Sequence, residues 1–402
     1  MQALLLELIK NNTTQELRPL LQNFSKEKIA RVRSFHRSMW GYYQSTPLVE
    51  LKELAAWLGV RNIFVKDESG RFGLKAFKGL GASYAMACCI ARELGKEVDE
   101  IDFDYLTAED VREKLGKITF ATATDGNHGR GVAWMARILG YDSVVYMPKG
   151  TAEARRLAIA REGAAVRITD FNYDETVRLL AADAEKNGWT VLQDTAWPGY
   201  EEIPLWIMQG YTTMAGEALE EMPDTPTHVF AQAGVGSMAA AVQATVIAQG
   251  YEKEPVFTIM EASEANCFFR SFEQGRMLPV GGDLETIMAG LACGEINPLA
   301  WEILANHAQY CLSCRDEVAA LGMRLWGNPL GKDQKITAGE SGAIGGGVIG
   351  LLDKYHNLKT ELGLNKESVL LFFNTEGDTF PDQYRDIVWG GSISVDFRRK
   401  NV

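Results

Sequence analysis

The chain has 402 residues, enough for two domains, and its 46% hydrophobic and 23% charged content is that of a globular protein with a large core. A net charge of −12 works against nonspecific nucleic-acid binding, and no uncharged apolar run is long enough for a membrane span. The opening stretch, MQALLLELIKNNTTQEL, lacks a basic segment followed by a long apolar run, so no secretory signal is expected.

Helix-like and strand-like segments then alternate. NIFVKD (62–67) reads as a buried strand and KGLGASYAMACCIARELG (78–95) as a helix with small residues at its start. ITFATAT (118–124) is a predicted strand, GVAWMARILG (131–140) a helix, and SVVYMP (143–148) a strand. AEARRLAIAREG (152–163) is a helix, AVRITD (165–170) a strand, 173–187 a helix and TVLQD (190–194) a strand. THVFAQ (227–232), PVFTIMEA (255–262) and SVLLFFN (368–374) are later strands beside helical text. Such alternation implies an α/β fold: open, mostly parallel twisted sheets flanked by helices. No internal repeat, low-complexity tract or long linker interrupts it.

The six cysteines are Cys88, Cys89, Cys267, Cys293, Cys311 and Cys314. Without a secretory signal, reduced thiols in the cytoplasm are expected. CLSC at 311–314 has redox spacing but no tryptophan or proline context; Ser313 with Asp316 reads instead as a helix cap. Cys267 and Cys293 follow core strands and read as independent buried thiols rather than a pair or a gate. The five histidines are scattered and no metal site is expected.

In parallel sheets, ligands sit beyond the carboxyl ends of the strands. Four loops there carry chemistry. FAQAGVGSMAAAV (230–242) leads a strand through Gly234, Val235, Gly236, Ser237 and Met238 into an Ala-rich helix. Its amides and helix N-terminus suit a phosphate, although a tight strand–helix turn explains it equally. It lacks the lysine of a nucleotide P-loop and completes only half of a dinucleotide fingerprint. GLKAFKGLG (73–81) places Lys78 between Phe77 and Gly79. Burial there favours a neutral amine, which forms imines with aldehydes. Lys75 reads as the ordinary surface partner, and two exposed lysines at a helix start are the simpler alternative. ATATDGNHGRG (121–131) offers Asp125 and Asn127, with His128 as a packed loop residue; Asp125 also suits a helix cap. LQDTAWPGYEEIP (192–204) offers Asp194, again a possible cap, before an aromatic turn with Trp197 and Tyr200.

Taken together and in this order, STPLVEL (45–51), VKDESGRFGLKAFKGLGAS (65–83), TDGNHG and FFNTEGDT (372–379) resemble the pyridoxal phosphate enzymes of the tryptophan synthase β-like fold, fold type II. The resemblance covers most of the chain. Deaminases of that family carry a serine or another small residue where Asp125 stands. This departure, with QDTAWPGYEEIP, AGVGSM, TAGESGAIGGG (337–347) and NTEGDT, is similar to the members that eliminate ammonia from 2,3-diaminopropionate.

The resemblance implies a homodimer with a large cofactor-binding domain, residues 1–90 and 193–402, and a small α/β domain, residues 91–192. It implies that Lys78 holds pyridoxal 5′-phosphate as an imine, that residues 234–238 bind its phosphate, and that Asn127 meets the ring 3′-oxygen. Near the ring nitrogen it implies Asn374 and Thr375, in place of the usual serine, with Glu340 as the alternative neighbour. Catalysis then falls to Lys78, Asp125 and Asp194. Lys78 acts as base for the L isomer, Asp125 as base on the opposite face for the D isomer, and Asp194 binds or assists. The expected products are pyruvate and two ammonia. A threonine or serine dehydratase is the alternative within the family. A non-catalytic amino-acid sensor is disfavoured by the retained lysine and phosphate loop, and a nicotinamide dehydrogenase by the incomplete fingerprint.

Overall fold

The computed structural model describes residues 4–352 and 354–395. Among these, eleven strands form two sheets. The strands are β1 (Leu6–Lys10), β2 (Leu48–Glu50), β3 (Asn62–Asp67), β4 (Thr119–Ala123), β5 (Asp142–Met147), β6 (Ala165–Ile168), β7 (Thr190–Val191), β8 (His228–Gln232), β9 (Val256–Ala262), β10 (Tyr310–Cys314) and β11 (Val369–Asn374). The larger sheet runs β1-β10-β9-β8-β11-β3-β2 and is parallel except at its edges, where β1 and β2 pair antiparallel. The smaller sheet, β6-β5-β4-β7, is wholly parallel.

The strand sequences explain their places. β8 (HVFAQ), β10 (YCLSC) and β11 (VLLFFN) are buried at every position, as strands covered on both faces require. β6, at an edge, leaves all of AVRI exposed or half-exposed. The register is direct: Phe372 and Phe373 of β11 sit opposite Val65 and Lys66 of β3.

Three expectations change. CLSC is not a cap but the body of β10, held between β9 and β1. Ser313 lies inside that strand and accepts from Asn266 Nδ2, while Arg315 occupies the N-cap position of the following helix. Strand pairing on both sides outweighs the local capping pattern. The helix expected from 131 starts at Asn127, so Asn127 and His128 belong to its first turn. The strand expected over 190–194 ends at Val191, leaving Gln193 and Asp194 free to face the sheet's carboxyl end.

Two packing features fix the segment around Lys78. The helix Gly79–Glu93 crosses the helix Glu202–Glu221 with almost no side chain between them. A Cβ on Gly81 would lie 2.5 Å from the Tyr211 ring, and one on Gly210 would lie 2.5 Å from the Leu80 carbonyl oxygen. Only glycine permits that approach. Ahead of the helix, the turn through Arg71 is clamped by buried charges. Arg71 bonds Glu68 at 2.8 Å and Glu217 at 2.7 Å, and Lys66 reaches Glu217 at 2.9 Å. Each charge has an opposite partner, which is the condition for burying any of them.

Candidate active site

One cavity opens beyond the carboxyl ends of β3, β4, β7, β8 and β11. Lys78, Asp125, Asn127, Asp194, residues 234–238 and Thr375 all line it. Four of these loops are those singled out by sequence. Glu340 and Asn374 do not line it. Asn374 turns its amide to Asp67 (2.8 Å) and the Thr337 carbonyl (3.2 Å), tying β11 to its neighbours. Glu340 is buried behind the wall, its carboxyl pushed up to about 7 by burial and by the neighbouring Glu376.

Lys78 stands at the N-terminus of its helix. The preceding residues are pinned to the loop after β11: Phe77 N–H donates to the Thr375 carbonyl (3.2 Å) and Gly377 N–H to the Lys75 carbonyl (2.9 Å). Lys75 itself points outward to Asp378. The Lys78 Nζ sits 2.5 Å from Asp194 Oδ2. Burial alone would push the amine toward neutrality, but the Asp194 carboxylate outweighs it and holds the ammonium pKa above its usual value. The neutral amine expected from burial is thus overturned: this lysine has an anionic partner, 116 residues away in sequence. Asp194 is held well below the usual carboxylate range, because the Lys78 ammonium and the Tyr173 hydroxyl together outweigh its burial.

Asp194 is held by its own neighbours. Gln193 braces the strand ends, accepting from the Ala123 N–H (2.9 Å) and the Thr122 hydroxyl (3.1 Å) and donating to the Tyr173 hydroxyl (2.8 Å). Tyr173 donates on to Asp194 Oδ1 (3.2 Å). His128 donates through Nε2 to the Leu192 carbonyl (2.8 Å), which leaves a lone pair on Nδ1, 4.0 Å from Asp194 Oδ2. Burial holds that imidazole neutral. The sequence offered His128 as a packed residue; the structure gives it a packed ring with one nitrogen on the chamber wall.

Asp125 is the second chamber carboxylate. Burial pushes it up to about 6, against the pull of Arg155 and Lys78. Asn127 is fixed by Glu376, whose Oε2 accepts from its amide at 2.5 Å and whose Oε1 accepts from Ser341 N–H at 3.0 Å. Sequence reading missed Glu376, Ser341 and Tyr173. The charge within NTEGDT was the available signal for the first.

The loop 234–238 ends at the helix Ser237–Ala248, whose first-turn amides have no acceptor within the helix. Gly236 adopts φ +96°, and a Cβ there would lie 2.4 Å from the Phe268 ring. The Ser237 hydroxyl is committed elsewhere, donating to the Asp194 carbonyl (2.5 Å) and accepting from Asn297 (2.8 Å). It ties this loop to the Asp194 loop, so the donors the loop itself leaves free are its backbone N–H groups. Cys293 lines the chamber and Cys267 lies behind it; both are free thiols with burial holding them protonated. Among the described residues no cluster of potential metal ligands occurs, and no helix is long and apolar enough to cross a membrane.

Comparison with known proteins follows this geometry. A family model described as pyridoxal-phosphate dependent enzyme matches residues 39–371. The diaminopropionate ammonia-lyase of Escherichia coli K12 is 50% identical over 380 residues, spanning 92% of this chain and 94% of that protein. A crystal structure of the Escherichia coli enzyme with an aminoacrylate-PLP azomethine reaction intermediate superposes with a TM-score of 0.90 at 46% identity, covering 98% of this chain and 99% of that one. Its complex with D-serine gives 0.91 at 47% identity, covering 97% and 98%.

Proposed function

The chain belongs to the pyridoxal-phosphate dependent enzymes, and from that premise we propose that it converts D- and L-2,3-diaminopropionate, with one water, to pyruvate and two ammonia. The observation that carries this reading is a chamber lined by one lysine and three carboxylates, of which Glu376 is engaged by Asn127 and Ser341 while Asp125 and Asp194 remain for the substrate and its protons. The residues fit the cofactor. Lys78 offers the amine, and the helix start at 234–238 offers amides in a cradle that a Cβ at Gly236 would fill. Asn127 faces the same space. Of the three candidates for the ring nitrogen, Thr375 lines the chamber, and we assign that contact to it.

Bound pyridoxal phosphate supplies an electron sink for negative charge at the substrate α-carbon. The side chains govern protons and position. Lys78 takes the α-proton of the L isomer and becomes an ammonium, the form that Asp194 stabilises. Asp194 thereby makes the lysine a stronger base. Asp125 takes the α-proton of the D isomer. Both carboxylates attract the substrate's side-chain ammonium; at about 4 Å and intermediate dielectric each contact is worth about 4 kcal/mol before desolvation. That group is already protonated and leaves without a general acid. A hydroxyl leaving group has no comparable use for two anions, which sets this reading above the dehydratase. A homodimeric, cytoplasmic enzyme belongs to the same proposal and is checked by light scattering and fractionation.

Purified holoprotein is assayed for ammonia and pyruvate with both isomers, L-serine and L-threonine. The proposal expects turnover of both isomers to exceed that of the hydroxy amino acids. In Asp125→Asn, D turnover falls by at least ~100-fold while L turnover stays within a few-fold. Preference for L-serine or L-threonine overturns the substrate; equal losses on the two isomers overturn the two-base assignment.

A further inference from the structure

A second, wider cavity adjoins the chamber, with Asp125 and Tyr173 lining both. This vestibule is walled by the turn Pro148–Ala152, the segment Asp283–Ile287, Phe380 and Arg155. Arg155 is half-buried, on the first turn of the helix Glu153–Ala160. Its stem packs on the Asp125–Gly126 turn: a Cβ on Gly126 would lie 3.4 Å from Arg155 Cδ. Its guanidinium stands 6.0 Å from the centre of the Phe380 ring. Its helix neighbour Arg156 is neutralised by Glu153, and across the vestibule Lys149 is paired with Asp283 at 2.8 Å. Among the described residues Arg155 has no carboxylate within ion-pair distance, so its charge is not spent on a partner.

We propose that Arg155 is a positioning residue for the D-isomer reaction: standing one layer outside the chamber, it keeps Asp125 ionised and ready to accept a proton, without touching substrate. This inference rests on the assignment of Asp125 as the D-isomer base. The charged and titratable groups facing Asp125 come from several elements. Lys78 lies at the start of its helix, Glu376 after β11, Tyr173 at the start of the helix Tyr173–Asn187, Cys293 in the segment before the helix Pro298–His307, and Arg155 on the vestibule side. Burial and Glu376 favour the protonated acid, whereas Arg155 and Lys78 favour the carboxylate, Arg155 more strongly. Lys78 is occupied by Asp194, which leaves Arg155 as the unpaired cation nearest the Asp125–Gly126 turn, its field reaching Asp125 and, behind the wall, Glu340.

The test compares wild type, Arg155→Gln and Arg155→Lys as holoenzymes, with kcat/KM for each isomer followed against pH. A base works only when deprotonated, so D activity falls as pH drops through the Asp125 pKa. Losing the nearby positive charge raises that pKa. The acid limb for the D isomer is expected to move up by roughly half to one pH unit in Arg155→Gln, a loss of about three- to tenfold on that limb. It returns most of the way in Arg155→Lys, and the limb for the L isomer stays in place. Carbon-13 carboxyl titration of aspartate-labelled protein, with Asp125→Asn assigning the signal, reads the same shift without turnover. An unmoved D limb, or equal movement for both isomers, overturns the inference. Asp125→Asn separates the two claims. If it leaves D turnover intact, the Asp125 assignment fails; if it abolishes D turnover while Arg155→Gln leaves the limb and the carboxyl signal unmoved, only the role of Arg155 fails.

Discussion

The contact between Lys78 and Asp194 is open to a direct energetic test. The two side chains are 19% and 5% exposed, so water screens them little. Removing the lysine by Lys78→Met leaves Asp194 with only the Tyr173 hydroxyl, the Gln193 amide and a neutral histidine nearby. Breaking a buried pair costs about 3–5 kcal/mol. Protonation caps that loss at pH 7: returning a carboxylate of ordinary pKa to its acid form costs about 4 kcal/mol. Asp194→Asn leaves a buried ammonium facing an amide, with the rings of Phe77 at 5.4 Å and Tyr211 at 5.8 Å as residual partners. The expected loss there is about 2–4 kcal/mol. The double variant removes both charges and should fall short of the summed losses by about 2–3 kcal/mol. The assay is urea unfolding of cofactor-stripped protein for the four members of the cycle. Additivity within about 0.5 kcal/mol would show a pair no stronger than a surface contact and refute the reasoning.

Other predictions follow from geometry already described. Gly236→Ala combines a left-handed backbone with a Cβ 2.4 Å from Phe268, so it should destabilise by about 2–5 kcal/mol and lower cofactor affinity, read by urea midpoint and equilibrium dialysis. For wild type, Asp125 must be ionised to act as a base; D turnover should therefore be full above pH 7 and fall as pH drops through about 6, measured as kcat/KM in a pH series. Glu217→Ala takes the nearer carboxylate from buried Lys66 and one of two from Arg71, which keeps Glu68, and should cost about 3 kcal/mol, visible as a lowered unfolding midpoint.

Local pattern carried much of this architecture. The apolar runs inside β8 and β11 announce them as covered strands, and glycine-rich turns after β4 and β8 mark where a ligand sits. What local text could not carry was pairing across the chain. Lys78 looked like a lone buried amine because its carboxylate lies 116 positions on. Asn127 looked free because Glu376, which holds it, is 249 positions away. Ser313 and Asp316 had the spacing of a cap, yet β1, only five residues long, zips onto β10 and makes that stretch a strand. Asn374 sat in the right motif, but its amide is consumed by Asp67 and Thr337. In each case long-range partners, chosen by burial, overrule the local signal.

The interlock of Gly81 with Gly210 makes the helix behind Lys78 a fixed post. A nitrogen anchored to such a post travels only by torsions of its own four-methylene arm. Its reach to successive neighbours is therefore a matter of side-chain rotation and needs no hinge. A single methyl at Gly81 would tilt the post and carry the arm's tip off target, damaging turnover from a position that no substrate atom ever reaches.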